Sequence, residues 1–200
     1  MGIEYFKLPI FDRRPYCDPA EWAQRYRYMK TTASMFSFEQ SPYFELPNQV
    51  MGDLAGTACV VLKVPSQTGK TETLINMLGW IVEYDRANTL LIMDTKTSGI
   101  ALSKNRIRPF LRDVCGLDYS KTASSKGKDN DHSMNAVDLG IGRGANVKIG
   151  SSRCAGDLCS TPVKYLLMDE LDRWQQEIRG EGDPISLAFQ RQLRFRGMTV

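Results

Sequence analysis

The sequence predicts an α/β protein in which a mostly parallel sheet carries helices on both faces. Three observations point there. Short, nearly continuous apolar runs, "ACVVLKV" (58–64), "NTLLIMD" (88–94) and "PVKYLLMDE" (162–170), suit strands buried on both faces. Helical patterns alternate with those runs, as βα units require. The first run also passes through "PSQTGKTE" directly into a helix, an arrangement by which parallel sheets hold anions at their carboxyl edge.

The elements follow in order. "DPAEWAQRYRYMK" (18–30) reads as a helix, with Asp18 as cap, Pro19 at the first helical position and Glu21 completing a capping box. "SPYFELPNQV" (41–50) reads as an ordered loop, because Pro42 and Pro47 oppose a long helix. After the first apolar run, "GKTETLINMLGWIVEYD" (69–85) is a helix with Leu74, Met77, Leu78 and Ile81 on one stripe. "NTLLIMD" is a second buried strand, and "SGIALSKNRIRPFLRDVC" (98–115) a helix kinked at Pro109. Residues 118–135 are polar and rich in Gly, Ser and Lys, which predicts an exposed loop. "NVKIGSS" (146–152) and "PVKYLLMDE" are further strands, "DPISLAFQRQLRF" (183–195) a last helix opened by Asp183 and Pro184, and "GMTV" (197–200) the start of one more strand.

Composition narrows the chemistry. The chain has 200 residues, enough for one domain with a sizeable core, and 42% hydrophobic against 24% charged residues is ordinary for a globular protein. No apolar run approaches the roughly 20 residues of a membrane helix, so no membrane partner is expected. Gly2 is followed by Phe6 where myristoylation needs Ser or Thr. Five cysteines lack a CxxC pair, and Cys154 and Cys159 have no histidine nearby, which favours reduced thiols over a disulfide framework or a zinc site. With His132 the single histidine, a Ser/His or Cys/His hydrolase is disfavoured. The net charge is +3, unevenly spread: residues 96–153 hold 11 Lys/Arg against 5 Asp/Glu. A basic middle fits either contact with a polyanion or a solvated surface.

The fragment at 64–72 is the second half of a phosphate-binding loop, G-x-x-x-x-G-K-[ST]. Gly69, Lys70 and Thr71 are in register, and Val64 replaces the leading glycine. No chemical group is lost by that replacement. Backbone N–H groups of Ser66, Gln67, Thr68, Gly69 and Glu72 lie where an anion at a helix start is cradled. Lys70 reaches β- and γ-phosphates and the Thr71 hydroxyl suits Mg²⁺. Such a loop needs a carboxylate, and "YLLMDE" ends a strand with Asp169, a metal-binding candidate, and Glu170, a general base for water. Each motif alone is weak, since a GKT arises by chance and a terminal "DE" can be a solubilising turn. Their order and context together predict a nucleoside-triphosphate and Mg²⁺ site in a P-loop NTPase, the ASCE-type three-layer sandwich. Asp94 also ends a strand, without a neighbouring Glu, and is expected to be structural or to sense the site.

"SQTGKTE", "TLLIMDTKTSGIALSKNRIRPFL", "STPVKYLLMDELDRW" and "GEGDPISLAFQRQLRF" resemble, in that order, the ATPase region of phage terminase large subunits of the GpA type. That family's loop commonly lacks the leading Gly, so Val64 matches its own form. The resemblance covers about residues 40–200 and implies an ATP-hydrolysing motor that moves double-stranded DNA into a capsid in the host cytoplasm. It implies self-association as a ring, with portal and small terminase subunit as partners. It assigns phosphate and Mg²⁺ to Lys70 and Thr71, Walker B to Asp169 and catalysis to Glu170, and puts Gln67 near the γ-phosphate. Many terminases carry an arginine in this loop, where this chain has Pro65, Ser66 and Gln67. Arg153 and Arg143 are the candidates to replace it. Tyr43 and Gln49 stand where relatives contact adenine. Residues 1–50 then form a helical, adenine-side extension and 51–200 the ATPase core, which stops before the coupling motif and nuclease domain that the resemblance implies.

Two rival readings use the same residues. "MDELD" also resembles a DExx helicase box, although a helicase needs a second motor lobe. A non-catalytic remnant would bind DNA or a partner through 96–153. The joint presence of Lys70, Thr71, Asp169 and Glu170 argues against it.

Overall fold

The computed structural model describes residues 14–53, 55–57, 59–117, 134–135, 138–142, 144–159, 161–193 and 199–200. His132, Arg143 and residues 118–133 of the polar stretch 118–135 lie outside them; its last two residues, Met134 and Asn135, form a short strand rather than a loop.

The chain opens with α1 (Pro19–Tyr26), whose Asp18 cap accepts from the Glu21 N–H, and a small hairpin of β1 (Tyr28–Met29) and β2 (Ser34–Met35). A 3₁₀ turn (Pro42–Phe44) leads into α2 (Glu45–Val50). This segment is helical where a loop is expected. Pro42 and Pro47 fall in first turns, where a missing N–H leaves no helical bond unmade. The helix α3 (Lys70–Trp80) ends in a π turn (Ile81–Asp85) and leads to β3 (Thr89–Met93). The second long helix comes in parts: α4 (Lys96–Leu102), a π turn (Ser103–Ile107) and α5 (Arg108–Asp113). The irregularity expected at Pro109 thus takes the form of a wider turn just before it, which accommodates the absent N–H. Next come β4 (Met134–Asn135), β5 (Asp138–Gly142), β6 (Ala145–Ser151), α6 (Ala155–Cys159), β7 (Tyr165–Met168) and α7 (Pro184–Phe189).

The five-stranded sheet runs β4-β5-β6-β3-β7. β6, β3 and β7 are parallel, with Leu91 opposite both Ile149 and Leu167, while β4 and β5 are antiparallel. Beyond β7, Thr199 forms parallel bridges to Leu166 on one side and Cys59 on the other. The expected strand at 58–64 therefore pairs only at its start, where the Val60 N–H donates to the Thr199 carbonyl at 2.9 Å. From Val61 onward no ladder partner lies alongside among the described residues, so the apolar run forms no regular strand despite its composition.

Alternation along the strands sorts two cores. Leu91, Ile149, Tyr165 and Leu167 face Leu74, Met77 and Leu78 of α3, with Trp22 and Phe110 behind. Leu90, Ile92, Leu166 and Met168 face Leu158 of α6 and Ala188 of α7. Helices cover both faces, and each such Leu or Ile contributes about 1.5–3 kcal/mol by leaving water. α1 and α3 meet at Gly79, where a Cβ would overlap the Trp22 ring and crowd Phe110, so only glycine permits that approach. All five cysteines are free thiols. Among the described residues no helix is long and apolar enough to cross a membrane.

Candidate active site

Parallel pairing of β6, β3 and β7 brings their carboxyl ends, Ser151, Met93 and Met168, to one edge. Asp94, Arg153, Asp169 and Glu170 follow those ends directly. Parallel sheets bind ligands at this edge.

The loop 65–69 turns tightly. Gln67 sits at φ 59° and Gly69 at φ 106°, and the Thr68 hydroxyl donates to the Pro65 carbonyl at 2.8 Å. The left-handed conformation at Gly69 excludes a side chain without strain. A Cβ there would also meet the Phe44 ring at 3.5 Å, so an aromatic from the preceding turn backs the loop. The Lys70 ammonium points back to the Val64 carbonyl at 3.4 Å.

Thr71, the second residue of α3, donates its hydroxyl to Asp169 Oδ2 at 2.7 Å. The other Asp169 oxygen accepts from the Glu170 N–H at 3.0 Å, and the side chain is buried. The loop helix and the β7 carboxylate thus converge. Ser66, Lys70, Asp169 and Glu170 border one cavity of about 690 Å³, within the range of small-molecule sites. Thr71 and Asp169 offer two hard oxygen donors in contact, a set that suits Mg²⁺. Among the described residues no cluster of three or more His, Cys, Asp or Glu could hold a metal alone. An ion here would therefore draw its other oxygens from water or from a phosphate ligand, the usual mode for Mg²⁺.

Glu170 adopts φ 53°, a conformation uncommon outside glycine and often found at functional positions. Its carboxylate pairs with Arg173 at 3.1 Å across a 3₁₀ turn, Leu171–Arg173. The Trp174 indole N–H closes that turn by donating to the Asp169 carbonyl at 3.1 Å.

Glu72, next to Thr71, is engaged elsewhere. Its carboxylate contacts the guanidinium groups of Arg27 and Arg106 on separate oxygens. Arg27 is buried, donates to the Glu72 carbonyl at 3.0 Å, contacts Asn76 Oδ1, and lies over Phe36 and Phe110. Burial, reinforced by Arg106, pushes Arg27 down to about 9, so it remains charged at neutral pH. Burial also lowers Arg106, while the Asp169 carboxylate raises it. Asn76 donates to Asn48 at 3.1 Å, and Asn48 to the Phe44 carbonyl at 2.7 Å, so α2 is tied to α3.

The other sequence candidates lie apart from the cavity. Arg153 forms a two-pronged pair with Asp94, with Nη2 at 2.9 Å from both oxygens and Nε at 3.1 Å from Oδ1. The Asp94 carbonyl accepts from Ser151 and Ser152, each at 3.1 Å. Asp94 therefore ties together the ends of β3 and β6. Tyr43 and Gln49 are exposed on the α2 side, and Tyr43 packs on Phe44 with ring centroids 4.8 Å apart. Phe44, Arg27, Arg106 and Arg173, which touch the loop, Glu72 or Glu170, are assigned no role by any sequence motif. Only Arg173 had a local signal, its three-residue spacing from Glu170. The others depend on contacts tens of residues away.

Residues 31–200 match the family described as phage terminase large subunit gpA, ATPase domain. No curated protein and no solved structure gives a match. A match over 31–200 spans most of the chain and contains the loop, the β7 carboxylates and the turn that follows them: this chain belongs to the phage terminase large subunit gpA family, in its ATPase domain.

Proposed function

We propose that the chain is a P-loop motor ATPase that hydrolyses ATP to drive double-stranded DNA into a capsid. The observation that carries this is the 2.7 Å bond between Thr71 and Asp169, with Lys70 and Glu170 on the same cavity. The placement of 199–200 between the loop segment at 59–60 and β7 supports the ASCE form of the fold, in which a strand separates the two motifs. Residues 51–200 would form the catalytic core and the preceding helices an adenine-side extension carrying Tyr43 and Gln49.

Lys70 and the N–H groups of 66–72 would hold the β- and γ-phosphates at the positive end of α3. Thr71 and Asp169 would hold Mg²⁺, which neutralises charge on the phosphate oxygens when bound. Glu170 would accept a proton from an in-line water. Its φ of 53° and its pair with Arg173 fix it at the cavity that both residues border. Arg153 would act on the nucleotide only after leaving Asp94. Catalysis would rest on positioning and charge neutralisation rather than on covalent chemistry. Double-stranded DNA, a ring of like subunits, portal and small subunit are the partners that this reading carries.

ATP turnover and nucleotide binding of the chain test the reading. Glu170→Gln should abolish hydrolysis and keep binding, and Lys70→Ala should lose both. Turnover unchanged in Glu170→Gln would refute it.

A further inference from the structure

Between Lys96 and Arg112 the chain has five cations, Lys96, Lys104, Arg106, Arg108 and Arg112, and no carboxylate. They lie on α4, the π turn and α5, which bury Gly99, Leu102, Ser103, Ile107, Phe110 and Leu111. Arg106 leans on Glu72 of α3. Lys104 and Arg108, two residues to either side of it, stand about half a turn round the axis and face away from α3. In an unbroken α-helix a row at every fourth residue drifts by about 40° per step. The π turn Ser103–Ile107 takes more residues per turn, which absorbs that drift between Lys104 and Arg108. Lys96, Lys104, Arg108 and Arg112 thus share one flank.

That flank is not neutralised from within. Arg14, Arg25, Arg153 and Arg173 each rest on a carboxylate. Lys96, Lys104 and Arg108 have no ion-pair partner among the described residues, and the buried Nε of Arg108 meets no acceptor among them. Arg112 pairs with its neighbour Asp113, which also holds Lys30, so two cations there face one carboxylate. Lys96 opens α4 with no acidic residue in the first turn, where the helix dipole disfavours a cation. Helix stability therefore does not account for its place. Thr97, Ser98, Ala101 and Asn105 are exposed beside the row. No exposed aromatic or large aliphatic side chain stands among them. The flank thus has nothing to insert into a lipid layer and nothing on which unpaired bases stack. It fits a regular, base-paired phosphate backbone.

We propose that the flank of α4 and α5 carrying Lys96, Lys104, Arg108 and Arg112 is the surface on which the chain holds the phosphate backbone of double-stranded DNA. The proposal rests on the DNA-moving reading above and names the surface which that reading lacks. Its contacts are charge to phosphate and carry no sequence preference. β3 ends at Met93 and α4 begins at Lys96, so the row starts at the carboxyl edge of the sheet and runs away from it. The duplex then lies against α4 and α5 rather than across the cavity between the loop and the β7 carboxylates.

The test compares the unmodified chain with Lys104→Gln, Arg108→Gln, the Lys104→Gln/Arg108→Gln double variant, Arg108→Lys and Arg25→Gln, all checked for unchanged melting. Anisotropy of short fluorescent DNA duplexes of unrelated sequence is read over a range of salt concentrations. Each Gln on the row should lower the slope of log K against log salt by about 0.9, and the double variant by about twice that, equally on every sequence. Arg108→Lys should keep the slope, since a phosphate contact needs the charge and not the fork. Arg25→Gln removes the same charge from α1 and should leave the slope unchanged. An unchanged slope in the double variant overturns the proposal. So does an equal loss in Arg25→Gln, which would report net charge alone. Tighter binding of single-stranded DNA, double-stranded RNA or anionic lipid vesicles than of the DNA duplex overturns it too. If the unmodified chain does not bind the duplex at low salt, the DNA-moving reading has failed and takes this proposal with it. Duplex binding that survives every variant leaves that reading standing and removes only this surface.

Discussion

The hydroxyl of Thr71 and the carboxylate of Asp169, 98 positions apart in the chain, are joined by a hydrogen bond of 2.7 Å. This bond fastens the start of α3 to the end of β7 across the sheet edge. Asp169 is buried, so the bond offsets part of its desolvation. Thr71→Val should destabilise the protein by about 1–3 kcal/mol, the cost of leaving a buried acceptor short of a donor. Thr71→Ser should recover most of that. Urea unfolding reads the difference, and a Val variant as stable as the parent would contradict the assignment.

Gly69 at φ 106° lets the chain turn from the loop into the helix against the Phe44 ring. Gly69→Ala should lose about 1–3 kcal/mol, the range for a side chain held in a sparsely populated conformation. A Cβ would sit in ordinary contact with the Phe44 ring at 3.5 Å, so Phe44→Leu should leave the cost of Gly69→Ala, which is backbone strain, unchanged. A melting comparison of the two single variants and the double variant checks that the two effects add. An alanine variant with unchanged melting would argue that the turn relaxes freely.

Arg27 is a buried cation whose partners are one carboxylate, one carbonyl and one amide oxygen. Arg27→Ala should cost about 3–5 kcal/mol, as removal of one member of a buried pair usually does. Arg27→Lys should rescue little, because an ammonium cannot span the same donors. Chemical denaturation of both variants checks this. An Arg27→Lys variant as stable as the parent would count against the geometry described for Asn76 and Glu72.

Asp183 caps α7. The Ser186 hydroxyl at 2.7 Å, with the Ser186 and Ile185 N–H groups, holds its carboxyl below the ordinary value. A depressed folded-state pKa gives stabilisation that is present above the unfolded value, about 3.9, and is lost as pH falls through the folded one. Asp183→Ala should therefore cost about 0.5–2 kcal/mol at neutral pH, and the gap should narrow below about pH 4. Denaturation at the two pH values reads it, and a gap that widens in acid would reverse the sign assigned here.

The elements most legible in the sequence are those that satisfy one rule alone. β3 and β7 are buried along their whole length and read as unbroken apolar runs. The caps at Asp18 and Asp183 announce their helices through their own side chains. β5 is hidden because Gly140 and Gly142 dilute an already short strand, which pairs for topological reasons rather than by propensity. The segment at 59–64 has the residues of a strand, but its ladder depends on Thr199, more than a hundred positions on. That Lys70, Thr71, Asp169 and Glu170 lie together was legible because a GKT turn after one apolar run and a carboxylate pair after another both fall at the carboxyl edge of a parallel sheet. The Arg27–Glu72–Arg106 cluster was not, since nothing in three scattered charges fixes which will meet.

Trp174 gives the molecule a built-in optical probe. Its indole is bonded to the backbone of Asp169 and is partly exposed, while Trp22 and Trp80 are sealed in the core. A shift of the β7 end by a fraction of an ångström would alter the polarity around one fluorophore and leave two as a constant background. Emission from the native chain can then follow the carboxylate strand in real time, with no label attached.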